Sequence, residues 1–474
     1  MDLILSIITS ITDFMWGYLI LILLTIIGLF FTIKGGFMQL TLLKKIGSQL
    51  KNSNINISNK HLSPMQALLA SLGGAVGVGS IAGMAIAINK GGVGAIFWLW
   101  VVAILGMALS MVENTLGQIY KRKNKDNNFY IGGPSFYIQN GLKNKKLAKI
   151  IAIIFSICLI VGYGITFNAI QANTIVESLF SAFSFNKQIV IVVLVILTAL
   201  IIFGGIKRVA KVSFYVVPLM GIIYLLLTLC VIVLNIEKMP HVFYLIFSNA
   251  FGFNEIVSGT ALGGVITAIT IGAKRALFAS ESGLGSTPNI TASSHVKHPI
   301  NQGIFGAFAI FIISFLICTS SAFIVILGGQ YGGDINGIAL IQSSLTTLIG
   351  SWSVYFLFIA IFTFAFTSIL GNYTFAEVNM EVITTSKIAK LFTKIGVILA
   401  VYLGGTLSLA SVWDLGDFTV GFMVLINIAI LFLLRKVFFA TLKDYKDQLK
   451  TTKEPIFKAS SIKELNDDTQ NIWK

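Results

Sequence analysis

The stretch Ser71-Leu72-Gly73-Gly74-Ala75-Val76-Gly77-Val78-Gly79-Ser80-Ile81-Ala82-Gly83 places five glycines in the middle of a long apolar run. Each glycine in a helix interior costs about 1 kcal/mol relative to alanine, so an unbroken helix is disfavoured here. Irregular backbone at membrane depth is tolerated only where protein covers it or where it lines a cavity. The stretch favours a broken membrane helix whose carbonyls bind a cation and whose amides bind an anionic group. A surface of small residues for close helix packing is the competing interpretation.

The composition of the whole chain indicates a polytopic membrane protein. Only 11% of its 474 residues are charged and 56% are hydrophobic, whereas a soluble globular chain carries about 25% charged residues. The 34 Lys and Arg against 19 Asp and Glu leave a net charge of +15. A basic excess is also typical of nucleic-acid binding, so the position of these charges decides between the two classes.

Eleven apolar runs are long enough to cross about 30 Å of hydrocarbon. The fold class is therefore all-α, with about eleven transmembrane helices and a cytoplasmic tail at 439–474. The predicted spans are 16–33, 65–88, 95–119, 147–177, 188–205, 213–235, 256–278, 302–328, 352–376, 391–412 and 418–438.

The basic residues predict the orientation of these spans. If the N-terminus lies outside, the inside segments hold 31 of the 34 Lys and Arg, and only Lys90, Lys187 and Lys238 lie outside. An alternating bias of this size is a positive-inside signal. It predicts an integral plasma (inner) membrane protein with a cytoplasmic C-terminus, and it excludes the nucleic-acid interpretation.

The seventh span repeats the glycine pattern, with Ser258-Gly259-Thr260-Ala261-Leu262-Gly263-Gly264-Val265. It lies five spans after the second and starts on the opposite side. Two sets of five helices, each opening with a broken helix, are typical of inverted-repeat secondary transporters. The predicted repeats are 65–235 and 256–438, preceded by one extra helix at 16–33, all within a single transporter domain that spans 1–474.

A set of sequence blocks stands in a fixed order along the chain: Glu113 and Glu377, the pair Asn372-Tyr373, and the segments 73–87, 91–100, 132–138, 171–173, 203–208, 274–288 and 364–368. Together these blocks resemble the alanine or glycine:cation symporter family, also called sodium:alanine symporters. The resemblance implies a LeuT-like fold with one extra helix and sodium-driven uptake of a small neutral amino acid.

Some positions depart from the family pattern. The family has Val-Gly-Thr-Gly-Asn where this chain has Val76-Gly77-Val78-Gly79-Ser80, and usually has Asp-Thr where this chain has Ile313-Ser314. The family's Asn-Glu-Ala in the seventh-span motif is Ser280-Glu281-Ser282 here. These changes preserve the expected fold and transport class, and they leave the substrate and the ion chemistry open.

The predicted sodium site combines the broken helix with the ninth span. Thr367 and Ser368 are adjacent, and such a pair can direct two hydroxyls at one point. With the carbonyls of Gly73 and Val76 they form the site that the LeuT-like plan implies. Hydroxyls that only bond to the preceding helical turn are the alternative.

The predicted substrate site uses both broken helices. The amino-acid carboxylate is expected at the amides of Val78, Gly79 and Ser80, where the second half-helix begins. Carbonyls or hydroxyls of Ser258, Gly259 and Thr260 are expected to accept from its ammonium group. The resemblance makes Gln171 a further substrate contact, while a hydrogen bond between two helices is the competing role.

Acids near membrane depth are expensive and are usually placed for a reason. Glu113 and Glu281 are predicted to brace the broken helices and the cytoplasmic gate, with Lys274 or Arg275 as partners, and a proton relay is the less favoured role.

A channel and a membrane-embedded enzyme are the competing classes of protein. Polar groups concentrated at two helix breaks disfavour a pore, and no catalytic constellation is evident. The expected partners are sodium as coupling ion, a small neutral amino acid and the lipid bilayer, with no cofactor, no other metal and no nucleic acid. Alanine or glycine is favoured, with glutamine as an alternative.

Overall fold

The computed structural model describes residues 2–52, 62–124, 129–252, 261–406, 409–465 and 472–473. Within them the protein is almost entirely helical. Three π-helical segments, Met15–Leu19, Ile160–Phe167 and Ile312–Cys318, join neighbouring α-helices into longer rods. The strands Arg122–Lys123 and Tyr130–Ile131 form a small antiparallel pair. Short 3₁₀ turns occupy Leu43–Lys45, Ile236–Lys238 and Ala459–Ser461.

The α-helices are, in chain order, Asp2–Phe14, Ile20–Lys34, Met38–Thr41, Ile46–Asn52, Pro64–Ala75, Val78–Gly91, Ala95–Ile119, Pro134–Gly141, Lys145–Leu159, Asn168–Phe183, Lys187–Ile202, Gly205–Leu234, Met239–Ala250, Ala261–Ser280, Pro288–Thr291, Pro299–Phe311, Thr319–Gly328, Gly337–Ile349, Ser353–Ile383, Lys387–Thr406, Leu409–Leu433 and Arg435–Gln448. Each predicted span overlaps at least one of them. Eight helices of the described part are long and apolar enough to cross a membrane, or nine with the bent pair Pro64–Ala75 and Val78–Gly91. The helices Lys187–Ile202 and Ala261–Ser280 overlap the two other predicted spans.

The bent pair lies at the centre of the bundle. Its two halves, called here the first half-helix (Pro64–Ala75) and the second half-helix (Val78–Gly91), meet at an angle of 40°. Helix Ser353–Ile383 crosses the first half-helix so closely that a Cβ on Gly371 would lie 2.5 Å from the Cα of Gly74. This approach requires glycine, and it brings the ninth predicted span against the break.

Large apolar side chains cover the outer surface of the bundle. Ile189, Leu200 and Leu226 each expose more than half of their surface. A soluble monomer rarely exposes extensive apolar patches, whereas hydrocarbon chains solvate such a surface. The outer face is therefore suited to lipid.

The described chain has a second break further along than Gly263 and Gly264, whereas the predicted residues Ser258, Gly259 and Thr260 lie outside the described residues. Helix Ala261–Ser280 runs unbroken through Gly263 and Gly264, and the chain leaves the helix at Glu281, which has a φ of 57°. Gly283 and Gly285, each at a φ of 76°, continue the irregular backbone until the short helix Pro288–Thr291. Left-handed residues end a helix, whereas isolated glycines inside it only weaken it.

The tail begins with helix Arg435–Gln448 and then folds back onto the bundle. Trp473 is 7% exposed, and its Nε1 donates to the carbonyl of Gln118 at 3.2 Å. The ring of Phe457 packs 5.4 Å from the Trp473 ring, centroid to centroid. Part of the predicted polar tail is thus anchored by buried aromatic side chains.

Candidate functional site

The break in the central helix consists of two non-helical residues. Val76 has a ψ of 80° and Gly77 has an extended conformation with a φ of −116° and a ψ of −154°. The helix restarts as the amide of Ser80 donates to the Gly77 carbonyl at 3.3 Å, and the Ser80 hydroxyl donates to the same oxygen at 2.9 Å. Carbonyls of the first half-helix and amides of the second therefore face each other across the break.

Two members of the predicted sodium site come together at this break. The Ser368 hydroxyl donates to the carbonyl oxygen of Gly73 at 3.1 Å, across 295 residues of sequence. Both residues are buried, and Ser368 is 0% exposed. Oxygen atoms from two helices thus meet at one buried point, which is the chemistry that a hard cation requires.

Thr367, the other predicted hydroxyl ligand, bonds within its own helix. Its Oγ1 donates to the carbonyl of Phe364 at 3.0 Å. This is the back-bonding that competes with ion binding for threonine in membrane helices. The arrangement of Thr367 therefore differs from that of its neighbour Ser368.

Gln171 lies at the start of the second half-helix. Its Oε1 accepts a hydrogen bond from the amide of Val78 at 3.0 Å, the group at which the substrate carboxylate is expected. A Cβ on Gly77 would lie 2.6 Å from both Gln171 Nε2 and Ser368 Oγ. The Gln171 carboxamide and the predicted sodium ligand Ser368 therefore both lie against the backbone of Gly77, with no room for a side chain there.

The remaining predicted substrate residues are placed differently. A Cβ on Gly79 would lie 3.6 Å from the carbonyl of Phe278, so the second half-helix begins beside the end of helix Ala261–Ser280. The carbonyl of Ser80 accepts from the Ser321 hydroxyl at 2.9 Å. Ser258, Gly259 and Thr260 lie outside the described residues.

Further polar side chains, to which the sequence assigned no role, lie around the same break. Asn372 Nδ2 donates to Asn168 Oδ1 at 3.1 Å, and both residues are buried. Asn372 follows Ser368 by about one helical turn, and Asn168 precedes Gln171 by about one turn, so helical spacing from the predicted residues could have found them. Ser213 Oγ lies 3.2 Å from where a Cβ on Gly73 would be.

A small, mostly apolar cavity adjoins the break. It is too narrow for a water-sized sphere, so the site is closed in this arrangement. Ile361 and Phe364 come from the helix that carries Ser368, and Ile338 comes from helix Gly337–Ile349. The full lining is Gly77, Val78, Ile81, Ala82, Thr174, Ile338, Ile361 and Phe364.

The two predicted acids lie at the second break. Glu113 Oε2 accepts from the Gly285 amide at 3.1 Å and from Asn427 Nδ2 at 3.0 Å. Glu281 Oε2 accepts from the Ser286 hydroxyl at 2.5 Å. Both carboxylates thus hold the irregular backbone between Ser280 and Pro288, as a bracing role requires.

One expected basic partner of these acids pairs with a different acid. Lys274 forms an ion pair with Asp417, and Arg275 also interacts electrostatically with Asp417. The bracing of Glu113 or Glu281 by Arg275 stays a prediction. Asp417 is distant in the sequence and lies just before the last predicted span, so no sequence signal indicated its pairing with Lys274.

The model of the sodium:alanine symporter family matches residues 1–459. The chain belongs to this family. It is 44% identical to the amino-acid carrier protein AlsT of Bacillus subtilis over 96% of this chain and 95% of that protein. It is also 39% identical to the probable sodium/glutamine symporter GlnT of Bacillus subtilis, over 96% and 93% of the two chains.

A third relative is the sodium/proton-dependent alanine carrier protein of Bacillus sp. strain PS3, which is 34% identical over 85% of this chain and 92% of that protein. A manganese transporter of Eremococcus coleocola has a similar fold, with a TM-score of 0.50 and 14% sequence identity over 85% of this chain and 92% of that chain. This likeness shows the fold alone. Family membership makes the protein a multi-pass membrane transporter for cation-coupled amino-acid symport rather than an enzyme.

Proposed function

We propose that this member of the sodium:alanine symporter family takes up a small neutral amino acid, alanine or glycine, together with sodium by alternating access. The proposal includes eleven membrane-spanning helices in a LeuT-like arrangement of two inverted repeats and an N-terminus on the outside. The observation that carries it is the 3.1 Å contact of Ser368 Oγ with the Gly73 carbonyl. This contact joins the ninth predicted span to the break in the second.

Sodium is assigned to the oxygens on the first half-helix and the ninth predicted span. Gly73 and Val76 offer carbonyls, and Ser368 offers a hydroxyl that already reaches Gly73. Thr367 joins them once its hydroxyl leaves the Phe364 carbonyl. Neutral oxygens suit a singly charged ion that has to be released on every transport cycle.

The amino acid is assigned to the other side of Gly77. Its carboxylate binds the amides of Val78, Gly79 and Ser80 at the N-terminus of the second half-helix, where the helix dipole favours negative charge. The substrate's side chain is assigned to the narrow cavity between Ile81, Ala82 and Phe364, which has to widen slightly from its closed arrangement to hold even a methyl group. The size and apolar lining of this cavity favour alanine and glycine.

Glutamine is the second candidate. It is favoured by the 39% identity to the probable sodium/glutamine symporter GlnT. The hydroxyl of Thr174 belongs to the cavity lining and offers one partner for a carboxamide. The longer side chain would require the cavity to widen.

The test is uptake of labelled amino acids into proteoliposomes with and without an inward sodium gradient. Alanine and glycine should accumulate only with the gradient, and glutamine should accumulate less. Unlabelled internal alanine should accelerate entry of labelled alanine, because a carrier exchanges its substrate across the membrane and a channel does not. Uptake that is independent of sodium, or entry without counterflow, would contradict the proposal.

A further inference from the structure

Helix Gly337–Ile349, called here the lid helix, covers the cavity beside the break. Asn336 caps its N-terminus, with Oδ1 accepting from the Gly337 amide at 2.7 Å, and Gly337 has a φ of +58°. This sharp entry directs the next residue, Ile338, into the protein, where it is only 9% exposed. The lid helix packs inward through Leu340, Ile341 and Leu345, each 0% exposed, and Ile338 is the apolar side chain that it contributes to the cavity at the break.

Ile338 lies between two cavities in series. The inner one is the narrow cavity at Gly77. The outer one, about 20 Å³, is also lined by Glu177, which is 39% exposed. Four residues line both cavities, Val78, Ala82, Thr174 and Ile338. Of these four, only Ile338 belongs to the lid helix, and the other three belong to the second half-helix and to helix Asn168–Phe183.

The lid loop is tied to the second half-helix. Asn89 Nδ2 donates to the carbonyl of Ile335 at 2.8 Å, and Asn89 Oδ1 accepts from the amide of Gly332 at 2.9 Å. One carboxamide near the end of the half-helix therefore holds the loop that leads to Ile338 at two points. This tether fixes the position of Ile338 relative to Val78, whose amide is assigned to the substrate carboxylate.

We propose that Ile338 sets the upper size limit for the side chain of the transported amino acid. The inference rests on the proposed function. A carboxylate at Val78 places the substrate's side chain in the inner cavity, and its outer wall is the Ile338 side chain. Because the tether holds that wall in place, a longer substrate side chain in the inner cavity collides with Ile338. A shorter residue at 338 would accept a longer substrate.

Substitution at 338 tests this in both directions. Labelled alanine uptake is measured against unlabelled glycine, valine, leucine and glutamine. For Ile338→Ala, valine and leucine should gain about tenfold in competition relative to alanine, which lies in the range for one or two methylene groups in an apolar pocket. Ile338→Val should shift the ratios the same way but less. Ile338→Phe should weaken alanine relative to glycine.

Ile335→Ala is the matched control. Its side chain is 47% exposed, and alanine retains the carbonyl that holds Asn89, so its competition ratios should equal those of the unaltered chain. Ratios that stay unchanged in both Ile338→Val and Ile338→Phe would overturn the inference, even if Ile338→Ala does not transport.

A second readout does not depend on which solute is transported. Ala82→Cys is introduced into a chain whose cysteines at 158, 230 and 318 are replaced by serine. A small water-soluble thiol reagent should label it several-fold faster when Ile338→Ala is added, and Ile335→Ala should have no effect. If the unaltered chain transports no neutral amino acid, the proposed function fails, and this labelling alone then decides whether Ile338 closes the cavity.

Discussion

Ser368→Ala is the substitution that most directly tests the assignment of the sodium site. It removes one hydroxyl oxygen and leaves the rest of helix Ser353–Ile383 unchanged. The hydroxyl meets the Gly73 carbonyl at 3.1 Å, fully buried. No water replaces it readily in so closely packed a place, so a bound cation would lose one ligand outright.

The size of the effect follows from the strength of such contacts. A hydrogen bond to a charged group contributes about 1.5–3 kcal/mol, and about 1.4 kcal/mol corresponds to a factor of ten in affinity. We therefore expect the sodium concentration for half-maximal uptake to rise about tenfold in Ser368→Ala. Thr367→Ala should raise it less, since the Thr367 hydroxyl already bonds to Phe364 in its own helix.

The assay is the sodium dependence of labelled alanine uptake into proteoliposomes with equal amounts of each variant. Thr374→Ala is the matched control, because Thr374 is buried on the same helix and its hydroxyl donates within that helix, to the Leu370 carbonyl at 3.2 Å. An unchanged sodium dependence in Ser368→Ala would refute the assignment. An equal rise in the control would mean that the effect comes from the helix and not from a lost ligand.

Three further substitutions address the break, its bracing by Glu113 and the buried Lys121. Gly77→Ala should abolish transport yet still fold, since its Cβ would lie 2.6 Å from both Gln171 and Ser368 and displace them at a cost of about 1–3 kcal/mol. Glu113→Gln should retain sodium-coupled uptake, whereas Glu113→Ala should destabilise the protein by about 1–3 kcal/mol because the Gly285 amide loses its acceptor. Burial lowers the pKa of Lys121 to about 7 from about 10.4. Between these two pH values the unfolded chain therefore binds more protons than the folded chain, so the folded state gains stability as the pH rises. Raising the pH from 7 to 10 should increase the melting temperature more in the unaltered protein than in Lys121→Met.

Each of these three has an outcome that contradicts it. Normal uptake by Gly77→Ala would mean that the space at the break is not needed. Loss of uptake in Glu113→Gln, with a changed pH profile, would favour a proton relay over bracing. Equal pH dependence of melting in the unaltered protein and Lys121→Met, followed by intrinsic fluorescence in detergent, would show that Lys121 does not titrate in this range.

The sequence predicted the features that depend on local composition. Apolar runs predicted the position of the helices, and the five glycines between Ser71 and Gly83 predicted the break that the structure places at Val76 and Gly77. Of the predicted second break, Ser258, Gly259 and Thr260 lie outside the described residues. No break lies at Gly263 and Gly264, although they carry the same compositional signal as a true break. Only the backbone conformation of Glu281, Gly283 and Gly285 distinguishes them.

Partners distant in the sequence were only partly predictable. The Ser368–Gly73 contact was expected because the family resemblance relates those two helices. The ion pair of Lys274 with Asp417 and the hydrogen bond of Asn372 with Asn168 were not expected. A buried polar side chain needs a partner, but the sequence does not show which of several facing helices supplies it.

Under the proposed function, the geometry at Gly77 gives a physical route for coupling sodium to the amino acid. A substrate carboxylate at the Val78 amide has to take the place of Gln171 Oε1. A sodium ion at Gly73 requires the Ser368 hydroxyl to turn its proton away from that carbonyl, since a cation is bound by lone pairs. Gln171 and Ser368 both lie within 2.6 Å of the same point beside Gly77, so movement of one side chain changes the space of the other. Coupling between two binding events is reciprocal, and a shared contact of this kind makes each ligand favour the rearrangement that the other requires.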